Sequence, residues 1–407
     1  MFEKDSASLS FPKGSPTPSS VAGELIPFLR EQTTPIDAAA RLPDNVVDEF
    51  ESRGLFRLSY PHVYGGQQIG FTEFMDTIVN LGRGNMSAAW VVSILNGCTA
   101  MVARAMPDHV SEEVFATPGG AKVAGAFTPR TLKARPKDGG VYIEEGLWGF
   151  NSGVRHANWD LLGVPLYDAD GNEVDQGFAL LPTSKIEILD DWNTLGMRGS
   201  GSNTVRATDI FVPNEWILPF GRVRRDNYTV ARFKDIWQYR ITSISEAPLG
   251  LAFPVIGAAI GALEVFLGNA KKRGIQYTDY DKQSEAPVTH LQVGEASAKI
   301  DAAKALARSG AMEIEQAAQA GLQMSRDDGS RIRRDAGFIG VLAWQAVDQL
   351  ASGSGGSFIG ARNAVNPYWK DIRAGTLHGA VTASTVLEAY GRVLCGLPSN
   401  ITRAGVA

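Results

Sequence analysis

The chain has 407 residues with 39 basic and 44 acidic side chains, a formal net charge of −5. No cationic excess is available for a nucleic-acid track or a membrane tail, and the length suggests roughly two or three domains. Two cysteines, Cys98 and Cys395, stand far apart without Cys-x-x-Cys spacing; this argues against a disulfide framework or thiolate zinc site and for a reducing, cytoplasmic setting.

Residues 1–20 are rich in Ser, Pro and Gly, without the basic-then-apolar pattern of a secretory leader, and read as a flexible tail. The Asn-x-Ser/Thr triplets at Asn85, Asn227 and Asn400 are then chance occurrences. Residues 21–121 read as an N-terminal helical domain. Leu25, Ile26 and Leu29 form an apolar stripe, a second element starts at Asp44 after Pro43, and helical patterns cover residues 71–82 and 86–106. Near Val123 the texture changes. Short runs at 123–129, 140–150, 159–166, 177–182 and 208–213, punctuated by Gly, Pro and Asp, predict an antiparallel β-barrel over residues 122–235. Helical periodicity returns over residues 236–395, at 249–272, 291–320, 330–352 and 384–393, as expected of a four-helix bundle; residues 396–407 read as a C-terminal tail. The most apolar run, residues 248–263, contains Pro254 and is shorter than the ~20 residues of a bilayer span, so it reads as a buried bundle helix. The basic runs Arg222-Val-Arg-Arg225 and Arg331-Ile-Arg-Arg334 are short enough to be solvated faces. The fold class expected is α+β.

Several chemistries lack their signatures. There is no Gly-x-x-x-x-Gly-Lys phosphate loop, no Gly-x-Gly-x-x-Gly, no Gly-x-Ser-x-Gly elbow and no His-Glu-x-x-His. Only His62, His109, His156, His290 and His378 supply imidazole, so a hydrolase triad or metal cage is poorly provided for and no metal is expected. Four stretches remain: Trp148-Gly-Phe-Asn-Ser-Gly153, Leu195-Gly-Met-Arg-Gly-Ser-Gly-Ser202, the Gly/Ser run Leu350-Ala-Ser-Gly-Ser-Gly-Gly-Ser357, and Lys370-Asp-Ile-Arg-Ala-Gly-Thr-Leu-His378. Each alone is a strand end, a turn or a helix cap.

Together and in this order they resemble the flavin-dependent monooxygenases built on the acyl-CoA dehydrogenase fold. These are the oxygenase components of two-component systems related to the 4-hydroxyphenylacetate, secosteroid-phenol and dibenzothiophene oxygenases. The segment Arg53 to Gly66, with its Pro61-x-x-x-Gly-Gly turn, is similar to the family's helix-to-helix connection. The resemblance implies reduced flavin (FADH2 or FMNH2) as cofactor, O2 as co-substrate, and a separate NAD(P)H:flavin reductase as partner. It also implies oxygenation of a small organic substrate, aromatic or heterocyclic, through a C4a-hydroperoxyflavin, in a homotetramer with neither nucleic acid nor membrane as partner.

By the same resemblance Ser152 lies beside the flavin N5, and Phe127, Thr128 and Trp148 form the flavin wall. Arg273, Gln349, Gly353, Gly355 and Gly356 follow its diphosphate, the arginine reaching a neighbouring subunit's cofactor. His378 stands where the dehydrogenases carry a catalytic glutamate. An imidazole there could take a proton from the substrate or keep the distal peroxide oxygen protonated. Two departures bear on specificity. Relatives acting on phenols carry a histidine after the Ser-x-x-Trp turn, whereas Ser87-Ala-Ala-Trp90 is followed by Asn96, Gly97 and Cys98. The dehydrogenases' Arg-x-x-Phe-Gly is replaced by Arg273-Gly-Ile-Gln-Tyr. Trp90, Asn96, Cys98 and His156 are the candidate substrate-pocket residues. The alternatives are an acyl-CoA dehydrogenase-type flavoprotein and a non-catalytic relative of the fold.

Overall fold

The computed structural model describes residues 16–224, 230–241 and 243–400. Most of the expected N-terminal tail, Arg225, Asn227 and residues 401–407 lie outside the described residues. The tail reading ends earlier than expected. Thr17 caps helix α1 (Pro18–Glu24) by accepting a hydrogen bond from the Ser20 N–H, with Pro18 at the first helical position. Then come α2 (Ile26–Glu31), α3 (Thr33–Ala39), α4 (Asp44–Ser52), α5 (Phe71–Gly84), α6 (Met86–Ala105) and α7 (Asp108–Phe115).

The middle layer contains β1 (Val123–Ala126), β2 (Thr131–Lys137), β3 (Gly140–Trp148), β4 (Trp159–Tyr167), β5 (Glu173–Pro182), β6 (Glu187–Ile188), β7 (Val205–Pro213) and β8 (Ile217–Pro219), followed by α8 (Phe220–Arg224). Its pairing corrects the expected antiparallel barrel. Among the described residues the strands form two four-stranded sheets, ordered β1-β4-β5-β8 and β2-β3-β7-β6, and β1 runs parallel to β4. The β2–β3 hairpin, paired from Thr131 with Leu147 to Lys137 with Gly140, intervenes between β1 and β4 and belongs to the other sheet. Short Gly- and Pro-broken runs reveal strands, but not their partners. The Trp148 Nε1–H ties the sheets by donating to the Gly163 carbonyl at 2.9 Å.

The C-terminal part contains α9 (Ser243–Ala270), α10 (Pro287–Ala320), α11 (Arg326–Gly353), α12 (Asn366–Gly375) and α13 (Ala383–Leu394). Helices α9, α10 and α11 pack on one another, and α13 lies along α11. The apolar run at 248–263 is part of a longer helix than expected. By length and composition α6 and Ser245–Ala270 could each cross a membrane, but 89% and 78% of these windows are buried inside the protein. Small residues allow α5 and α9 to touch. A Cβ at Gly82 would stand 2.7 Å from the Pro254 carbonyl oxygen, and one at Gly257 would stand 2.2 Å from that of Val79. Glu264 then joins α9 to the N-terminal helices by accepting from Arg30 and, at 2.6 Å, from Arg83 Nη2.

Candidate active site

Three of the predicted residues meet where the helical layers and the sheets adjoin. Asn85 caps α6 by accepting from the Ala88 N–H, and one turn further Trp90 is almost wholly buried. Its Nε1–H donates to Ser152 Oγ at 3.1 Å. Its ring also meets that of His378 edge-on, with centroids 5.8 Å apart. Ser152 occupies the turn after β3, where Phe150 (φ 59°) and Gly153 (φ 75°) adopt left-handed backbone. For phenylalanine this conformation costs about 1–2 kcal/mol. The Phe150 ring is exposed, flanked by Trp192 and Arg130. Beyond Ser152 the hydroxyls continue: Ser152 Oγ lies 2.8 Å from Ser202 Oγ, which lies 2.7 Å from Ser200 Oγ. Ser200 Oγ donates to the Met197 carbonyl at 2.7 Å.

His378 lies in the turn after α12, its side chain exposed. Desolvation by surrounding protein, followed by the charge of Arg333, nevertheless pushes the imidazole down to about 4. Because the side chain is exposed, water tempers this lowering. The Ala380 N–H donates to His378 Nδ1 at 3.2 Å, so the neutral ring carries its proton on Nε2. The imidazole therefore carries its donor at Nε2.

Asp371, on α12 seven residues before His378, connects the two sides of this cluster. Its Oδ1 accepts from the Met197 N–H at 2.6 Å and its Oδ2 from Ser87 Oγ at 3.0 Å. Burial raises its carboxyl to about 6 against the pull of both bonds. Close packing of glycine completes the junction, since a Cβ at Gly196 would lie 2.2 Å from the Lys370 carbonyl oxygen. Sequence reading missed Asp371, Ser200 and Ser202 as site-forming residues. The signal was present in the motifs at 195–202 and 370–378, but pairing between them is a tertiary fact. Phe150 was likewise only a position within a motif.

The remaining substrate candidates lie elsewhere. Asn96 is fully buried and satisfied: Nδ2 donates to the Leu55 and Val92 carbonyls and Oδ1 accepts from the Ser59 N–H. It fastens the loop before α5 and does not line a pocket. Cys98 is buried, its thiol pushed up to about 12 by desolvation and then by Asp160, and reads as an inert core residue. His156 Nε2 accepts from the Leu42 N–H at 3.2 Å; desolvation first, then nearby cations, push it down to about 4. It staples the chain before α4 to the β layer. Trp148 has no exposed surface, so it stands behind the proposed flavin wall rather than in it. Half-buried Phe127 and exposed Thr128 follow β1, where Gly163 packs against the Phe127 carbonyl. The buried Asp160 accepts from Asn151 Nδ2 at 2.6 Å, and desolvation raises its carboxyl to about 7.

The predicted diphosphate residues form a second group at the end of α11. Arg273 donates from Nε to Gln283 Oε1, from Nη1 to the Ser354 carbonyl and Ser357 Oγ, and from Nη2 to the Gly353 carbonyl, at 2.6–3.0 Å. Four of its five donors are thus engaged within the subunit. Gly355 (φ 59°) and Gly356 are exposed with open space around them. Gln349 Nε2 donates to Glu295 at 2.8 Å.

Comparison with known proteins places the whole chain. The acyl-CoA dehydrogenase N-terminal domain matches residues 21–114 and the acyl-CoA dehydrogenase C-terminal domain residues 249–383, together more than half the length. The chain belongs to the acyl-CoA dehydrogenase family. Within it, the chain falls among the flavin-dependent monooxygenase oxygenase components. It is 28% identical over 378 residues to the flavin-dependent monooxygenase oxygenase subunit HsaA of Rhodococcus jostii (strain RHA1), covering 93% of this chain and 98% of that protein. It is 27% identical to the oxygenase component of the FADH2-dependent resorcinol hydroxylase of Rhizobium sp. (strain MTP-10005), covering 91% and 92%. Among solved structures, XiaF from Streptomyces sp. in complex with FADH2 and glycerol superposes with a TM-score of 0.87 at 26% identity, covering 95% of this chain and 96% of that one.

Proposed function

We propose that the chain is the oxygenase component of a two-component flavin-dependent monooxygenase. It takes FADH2 or FMNH2 from a separate NAD(P)H:flavin reductase and inserts one oxygen atom of O2 into a small aromatic or heterocyclic substrate. The observation that carries this is the meeting of Trp90, Ser152 and His378, the indole donating to the serine and stacking edge-on with the imidazole. The donors and acceptors fit a flavin ring. Ser152 Oγ is fixed by two neighbours with a lone pair to spare, and Phe150, two residues before it, offers exposed apolar surface. Reduced flavin, when bound, supplies the electrons that activate O2. Ser152 would hold the N5 edge, and the His378 Nε2–H would donate to the oxygen being transferred or to a substrate oxygen. That role needs a neutral imidazole, which the environment favours.

The dehydrogenase alternative needs a carboxylate free to take a substrate proton. The carboxyl nearest in sequence to His378, Asp371, is buried and bonded to Met197 and Ser87. The Arg273 turn, with exposed Gly355 and Gly356 amides, would receive the diphosphate, the arginine shaping the turn. The wider reading includes a homotetramer completing this site across an interface, and a cytoplasmic location.

The test mixes anaerobic protein and reduced flavin with O2 in a stopped-flow spectrophotometer. Flavin oxidation should follow a course distinct from that of the free cofactor. Identical traces with and without protein would overturn the proposal.

A further inference from the structure

The row of hydroxyls behind Ser152 has a direction, set at both ends. The indole Nε1–H of Trp90 can only donate, so Ser152 Oγ accepts from it at 3.1 Å. At the other end the Met197 carbonyl can only accept, so the Ser200 proton goes to it across 2.7 Å. Otherwise two oxygens would face each other at that distance with no proton between them. Ser200 Oγ must then accept from Ser202 at 2.7 Å, which commits the Ser202 proton. Ser202 must accept from Ser152 at 2.8 Å, which commits the Ser152 proton. All four oxygen-bearing groups are buried, so water does not readily compete for these protons.

The consequence falls on Ser152. Its one proton points inward to Ser202 and one lone pair receives the indole, so towards a ligand it offers only the remaining lone pair. We infer that Ser200 and Ser202 are positioning residues that lock Ser152 as an acceptor, so that the site selects the reduced flavin over the oxidised one. Reduced flavin bears an N–H at N5, which a lone pair attracts. Oxidised flavin bears a lone pair there, which a second lone pair repels. This inference rests on the flavin reading above, and assigns the discrimination to residues that do not touch the cofactor.

The test is anaerobic equilibrium titration of the full chain with FADH2 and with FAD, comparing wild type, Ser202→Ala, Ser202→Thr and Ser200→Ala. In Ser202→Ala the Ser152 proton loses its inward acceptor and can turn to N5 of the oxidised ring. Oxidised flavin should therefore bind about tenfold more tightly relative to reduced flavin than in wild type, the scale of one hydrogen bond gained in place of a repulsion. Ser202→Thr keeps the hydroxyl and should keep the wild-type ratio. Ser200→Ala frees the next proton along and should shift the ratio the same way, and by less; it carries the test if Ser202→Ala does not fold. A loss of affinity for both forms in equal measure, or an unchanged ratio in both alanine variants, would overturn the inference and leave the flavin reading standing. Failure of wild type to bind either form would overturn that reading and the inference with it.

Discussion

The Trp90–Ser152–His378 cluster and the Arg273 turn were both expected to hold cofactor, and they are built in opposite ways. In the first, two of the three polar groups keep unspent capacity: Ser152 has a lone pair and His378 an Nε2–H. In the second, the guanidinium spends four donors on Gln283, Ser354, Ser357 and Gly353. The difference teaches that residue type alone does not make a binding group. A side chain with spare capacity is ready for a ligand, whereas one saturated by its own chain acts through the shape it imposes.

The contrast is broken most severely at His378. If the open-faced cluster carries the chemistry, His378→Ala should slow product formation in single turnover by about 10²–10⁴-fold while the affinity for reduced flavin stays near wild type. A loss of flavin binding with no separate loss of turnover would move His378 from chemistry to architecture. Next is Asp371→Ala, which leaves the Met197 N–H buried without an acceptor and the Ser87 hydroxyl with only the Met197 sulfur at 3.9 Å, and should cost about 2–4 kcal/mol in urea unfolding at pH 7. An unchanged midpoint would show that Asp371 does not clamp the two sides.

The Arg273 turn should respond more gently. Arg273→Lys keeps the charge and loses the fork, for an expected about 1–2 kcal/mol of stability; the comparison is sharpened if flavin affinity falls no further than the loosened turn explains. The smallest effect is at His156. Its folded pKa of about 4 lies below the unfolded value near 6.5. Between these the unfolded chain binds more protons, so this residue's contribution is present above pH 6.5 and lost as pH falls towards 4. Wild type minus His156→Gln stability should therefore decline with falling pH by on the order of 1 kcal/mol per unit in that window; a flat difference would deny the burial. Asp160 and Asp371, raised to about 7 and about 6, oppose this slope in both proteins, which is why the difference, not the wild-type curve, is the measurement.

The order of helices, strands and helices was legible because texture changes near Val123 and again after about Arg240. Helix α12 escaped because its residues had been read only as a motif. Strand β2 escaped because it is exposed, with Lys133, Arg135 and Lys137 masking the alternation. Within the site, motif position brought Ser152 and His378 to attention. Asn96, named because it follows the Ser-x-x-Trp turn, stands six residues on from Trp90 and roughly 240° around the helix. Cys98, two turns away, lies ~12 Å further along its axis. His156 and Trp148 were named by neighbourhood in sequence, and burial, which no single-sequence motif encodes, decided their roles.

The Asp371 clamp has a consequence for how the enzyme comes into being. Ser87, Met197 and Asp371 are drawn from the first, middle and last portions of the chain, so no nascent or truncated piece lacking α12 can form this clamp. A polypeptide still emerging from the ribosome holds its first two portions without this tie until the closing helices arrive.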